Sequence, residues 1–87
     1  MTTQQITTGR TLHAIACDIH NTWPKPYFGA VPYINAMRYL TDITDKYGED
    51  KAEWIVHYFL SNATTWRGDD ARRIKAELKA MLKSVGK

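Results

Sequence analysis

The 87-residue sequence predicts an all-α protein, a small four-helix bundle in a single domain. Three observations predict it. Apolar residues recur at helical spacing in four separate stretches. Residues that start and stop helices stand between those stretches. No stretch shows the alternation of a strand, and there is no internal repeat or low-complexity tract. The predicted helices cover about residues 8–22, 32–46, 50–64 and 69–85, and residues 1–7 are polar enough to fray.

The first helix starts at Thr8 or Thr11 and carries Leu12, Ile15, Ala16, Ile19 and Trp23 on one stripe. It must end near Trp23, because a proline disfavours helical backbone in the residue before it. The segment Trp23-Pro24-Lys25-Pro26-Tyr27-Phe28-Gly29 is an irregular, ring-rich connector. Its rings either plug the bundle end or form a docking loop, since loops often carry binding residues. Pro32 suits the first turn of the second helix, where its missing N–H costs nothing. Tyr33, Ala36, Met37, Leu40, Ile43, Thr44 and Tyr47 follow at helical spacing, with Gly48 placed as a left-handed cap.

Asp50-Lys51-Ala52-Glu53 resembles a capping box for the third helix. Ala52, Ile55, Val56, Phe59, Leu60 and Ala63 form its core stripe. Trp54 and Tyr58, at i and i+4, lie on the opposite face. They are either covered by another segment or exposed as an aromatic anchor for a partner. The turn Thr64-Thr65-Trp66-Arg67-Gly68 leads to the fourth helix, where Asp69 and Asp70 meet the positive end of the helix dipole. Arg67-Gly68-Asp69 reads here as a cap, not as an adhesion signal. Ala71, Ile74, Leu78, Met81, Leu82 and Val85 make the apolar stripe, and Gly86 is the stop. Arg72, Lys75, Lys79 and Lys83 share one flank, while Asp70 and Glu77 lie on the other.

Net charge is +3, unevenly spread. From Trp66 onward seven basic residues stand against three acidic ones; the remainder has five against six. Such a basic end either is solvated or meets an anionic partner. The single cysteine, Cys17, excludes an intramolecular disulfide framework and favours a reducing compartment. There is no secretory signal and no apolar run of membrane-spanning length, so the expectation is a cytoplasmic protein with no membrane partner.

Motifs for catalysis are absent. His13, Cys17 and His20 share one side of the first helix, yet one helix rarely wraps three ligands round an ion, so no metal or other cofactor is expected. Nothing supplies Cys17 with the depressed thiol pKa or the oxyanion hole that nucleophilic chemistry requires. No phosphate-cradling glycine loop occurs. The last two helices can be read as a helix-turn-helix, with Trp66, Arg67, Arg72, Lys75, Lys79 and Lys83 binding DNA or RNA. Both helices are long for that motif, and Asp69 and Asp70 would face phosphate.

Tyr58-Phe59-Leu60-Ser61-Asn62-Ala63-Thr64-Thr65-Trp66-Arg67-Gly68-Asp69-Asp70-Ala71-Arg72-Arg73-Ile74-Lys75, with Tyr27-Phe28-Gly29-Ala30-Val31-Pro32-Tyr33 upstream, resembles short proteins of actinobacterial phages and prophages across residues 10–82. Those proteins carry no assigned activity, so no functional residues transfer. The resemblance implies a small accessory product working in the bacterial host cytoplasm by binding host or phage machinery. Residues and resemblance together predict a non-enzymatic protein that binds a protein partner, or itself, through Trp54, Tyr58, Tyr27 and Phe28. Nucleic-acid binding through the basic flank is the alternative.

Overall fold

The structure is a computed structural model that describes residues 10–85. The expected fraying of residues 1–7 and the stop at Gly86 lie outside the described residues. Among the described residues there are four helices and one short hairpin. The order is α1 (Leu12–Thr22), α2 (Val31–Met37), β1 (Lys46–Tyr47), β2 (Asp50–Lys51), α3 (Ala52–Ser61) and α4 (Asp69–Val85). The mainly helical architecture agrees with the sequence; the hairpin does not.

Helix α1 starts at the second of the two expected threonines. The Thr11 hydroxyl accepts the Ala14 amide at 3.0 Å. The Leu12 and His13 amides donate to the carbonyls of Thr41 and Leu40, both at 2.9 Å. A distant segment thus satisfies donors that every helix N-terminus leaves free. Trp23 closes the helix, its amide still bonded to the Ile19 carbonyl at 2.8 Å.

Helix α2 is the main correction. It ends at Met37, not near residue 46. The following run, Thr41-Asp42-Ile43-Thr44-Asp45, is rich in side chains that compete for backbone amides. The Asp45 carboxylate takes the amides of Thr41 (3.1 Å) and Asp42 (2.9 Å), which holds a turn in place of a helix. Leu40 and Ile43 are nevertheless buried. Gly48 does not cap a helix. It takes φ +64° in the two-residue turn of the hairpin, in which Tyr47 pairs with Asp50 and Lys46 with Lys51.

The hairpin also dissolves the expected capping box. Asp50 is held in β2, so Lys51 becomes the N-cap of α3 and makes no side-chain cap bond. Helix α4 spans Asp69–Val85 as the sequence predicts, after Gly68 with φ +109°.

The helices close a ring in which α1 packs on α2 and α4, and α3 packs on the same two. The core takes the expected stripes: Leu12, Ile15 and Ile19; Met37 and Leu40; Ile55 and Phe59; Ile74, Leu78 and Met81. Leu82 packs against it half-buried. Trp66 stacks on Trp23 with ring centroids 5.0 Å apart and planes 5° apart, and both rings meet Phe59 edge-on. Such aromatic contacts add roughly 0.5–1.5 kcal/mol each beyond burial of area. A chain of ion pairs ties α1 to α4. Asp18 accepts from Arg10 (2.9 Å) and Arg73 (3.0 Å), and Arg10 also grips Glu77 (2.6 Å). The two arginines hold the Asp18 carboxyl below its ordinary pKa, chiefly through the hydrogen bond from Arg73. No helix among the described residues is long and apolar enough to cross a membrane.

Candidate interaction surfaces

The ring-rich connector divides. Trp23 turns inward and plugs the bundle end, as one of the two expectations had it. Tyr27 and Phe28 turn outward, Phe28 at 79% exposure. Their rings lie 4.9 Å apart. Gly29 is pressed against Tyr27: a Cβ there would come within 2.6 Å of the Tyr27 ring and 2.8 Å of the Asn62 side-chain oxygen. Tyr27 is therefore seated by the close approach of the backbone, while Phe28 is free.

Trp54 and Tyr58 are each half exposed on the outer face of α3. Among the described residues, no segment buries either ring fully. The two rings stack along the helix with centroids 6.4 Å apart. Tyr58 also leans on Tyr33 of α2 at 5.6 Å. Tyr39 and Tyr47 form a further exposed pair at 5.9 Å. The described surface thus carries three aromatic groupings, on the connector, on α3 with α2, and on the hairpin with the end of α2.

The basic flank forms in part. Trp66 must leave it: at 4% exposure, stacked on Trp23, it cannot offer a face to a base. Arg72 pairs with Asp69 one turn before it. The Lys75 ammonium donates to the Trp66 carbonyl at 2.7 Å. Burial, then the neighbouring Lys79 and Arg67, push its pKa down. Arg67, Lys79 and Lys83 are exposed and make no ion pair among the described residues. An open groove of about 710 Å³ between α3 and α4 places Lys79 and Lys83 beside His57, Ala80 and Leu82.

His13 and Cys17 approach each other, but His20 does not join them in a metal-binding group. The His13 Nδ1–H donates to the Arg38 carbonyl at 2.7 Å, the tautomer that this partner requires, and Nε2 lies 3.7 Å from the Cys17 sulfur. Among the described residues no group of three or more His, Cys, Asp or Glu side chains could hold a metal ion.

No family model, curated protein or solved structure matches this chain.

Sequence reasoning missed Tyr33, Tyr47 and Asp50 as one site. All three line a single slot of about 280 Å³. The signal was present in Tyr47-Gly48-Glu49-Asp50, a two-residue glycine turn between an aromatic and an acid.

Proposed function

We propose that this chain acts by binding a protein partner, not by catalysis, and that the outer face of α3 is the docking surface. One observation carries the reading: Trp54 and Tyr58 stay half exposed, stacked one turn apart, on a helix whose other face is fully buried. Leaving two large rings in water forgoes burial worth roughly 1.5–3 kcal/mol for a large apolar side chain. Trp and Tyr are the residues that contribute most at protein interfaces. Tyr27, which shares a pocket with Ser61 and Asn62 at the C-terminal end of α3, and its neighbour Phe28 give a second aromatic contact. The resemblance to actinobacterial phage proteins supports the same reading, a small accessory product that engages host or phage machinery or pairs with itself.

Crosslinked capture from a bacterial lysate tests it. Wild-type protein, Trp54→Ala/Tyr58→Ala and Lys79→Glu/Lys83→Glu are compared, with bound proteins identified by mass spectrometry. A protein retained by wild type and by the charge variant, but at least tenfold depleted by the aromatic variant, is expected. Capture that is indifferent to both rings overturns the reading.

The nucleic-acid alternative has its own observation. The acidic side chains of α4 are engaged by arginines, Asp69 by Arg72, Asp70 by Arg73 and Glu77 by Arg10, while Arg67, Lys79 and Lys83 stay unpaired among the described residues. That leaves an uncompensated cationic edge able to meet phosphate.

A further inference from the structure

We propose that the slot between the hairpin and helices α2 and α3 receives a single arginine side chain of the partner. The inference rests on the reading of α3 as a docking surface and names the chemistry that surface would recognise. Tyr33 and Tyr58, their rings 5.6 Å apart, line the slot together with Tyr47 of the hairpin. Ala36 and Ile55, both buried, and Asp50, which is exposed, complete the lining. At about 280 Å³ the slot falls below the roughly 300–1,000 Å³ of pockets that hold whole small molecules. Its size suits one long side chain.

The charge pattern selects the occupant. Strand register puts Tyr47 and Asp50 opposite each other, so their side chains share a face of the hairpin. Lys46 and Lys51 form the next cross-strand pair and project from the other face. The slot therefore holds a carboxylate with no lysine beside it among its lining residues. Because Lys51 and not Asp50 caps α3, that carboxylate is free of the capping role the sequence suggested, and it is in none of the ion pairs among the described residues. Tyrosine faces attract a cation through the ring quadrupole. A planar guanidinium can stack on such faces while donating to a carboxylate, which an ammonium does less well.

The probe is N-acetyl-arginine methylamide, titrated into the intact protein and followed by NMR of the tyrosine rings; the citrulline analogue, equal in shape and uncharged, is the control. Saturable shifts at Tyr33, Tyr47 and Tyr58 are expected with arginine and not with citrulline. Asp50→Asn, at an exposed position and of the same shape, should weaken arginine binding by up to roughly fivefold, as for an exposed ion pair, without changing the rest of the spectrum. Equal shifts with citrulline, or no ring shifts, overturn the proposal. So do ring shifts that follow protein concentration alone, because a second copy would then fill the slot. The two readings fail separately. A silent slot with capture still dependent on Trp54 and Tyr58 removes only the arginine site. A responsive slot with capture indifferent to those rings removes only the docking surface.

Discussion

Trp23, at the start of one connector, and Trp66, within another, meet as one stacked pair, sealed by Phe59. Trp66→Ala removes the buried ring and leaves a cavity beside two aromatic partners. The expected loss is about 3–5 kcal/mol, a large part of what a domain of this size has. Urea unfolding checks it. Phe28→Ala, in the same connector as Trp23 but 79% exposed, should change stability by less than about 0.5 kcal/mol. A Trp66→Ala loss no larger than that of Phe28→Ala would show that the stack is not part of the core. The sequence placed Trp23 on the α1 stripe correctly, because helical period reaches that far. It could not place Trp66. A residue in a turn has no period, and a tryptophan beside Arg67 reads equally well as a surface stacking residue.

Among elements, α4 was legible from end to end. Seventeen residues of uninterrupted amphipathic pattern, opened by two acids, leave no competing structure. The stretch after Met37 was not legible, for a specific reason. Leu40 and Ile43 continue the apolar spacing and are buried, so the pattern reported burial truthfully while the backbone was irregular. The deciding information lay in Asp42, Thr44 and Asp45, whose side chains bond locally, with Asp45 displacing the helical amide bonds. The α1–α4 ion chain was equally hidden, since Arg10, Asp18 and Glu77 lie far apart in sequence. It predicts a pH dependence. Arg73 and Arg10 lower the pKa of Asp18 in the folded state relative to the unfolded chain. The folded protein therefore favours the carboxylate. Its stabilising contribution is complete above the ordinary aspartate value near 3.9 and is lost as pH falls through the lower folded value. Thermal melts between pH 7 and pH 2 should show wild type losing stability more steeply than Asp18→Asn at the acid end. At pH 7 the variant should melt a few degrees lower, on the order of 1 kcal/mol or less, as for partly exposed pairs. Parallel acid limbs would place the acid sensitivity elsewhere.

Over the whole molecule, charge is sorted by the ring of helices. The flank of α4 that faces α1 joins acids to arginines, and the opposite flank keeps Lys75, Lys79 and Lys83 together, with Arg67 near Lys75 from the preceding turn. This sorting, and not the net charge of +3, sets how strongly the molecule can hold a polyanion. If all four cations met phosphates of a duplex, counterion release would give a slope of log K against log salt of about −3.6. Lys75 is already bonded to the Trp66 carbonyl, which makes three contacts and about −2.7 the more fitting figure. So few contacts predict binding that is weak at physiological salt and indifferent to sequence. Lys79→Glu/Lys83→Glu should flatten the slope by about two, since each phosphate contact accounts for roughly one. Trp54→Ala/Tyr58→Ala removes no charge and should leave it unchanged, because the slope counts cationic contacts to phosphate. Fluorescence titration of labelled duplex and single-stranded DNA across a salt series measures all of this. A slope steeper than about −4 with tight binding at 150 mM salt would require more cationic contacts than this edge supplies. It would make nucleic acid, not an arginine-bearing protein, the ligand around which this fold is built.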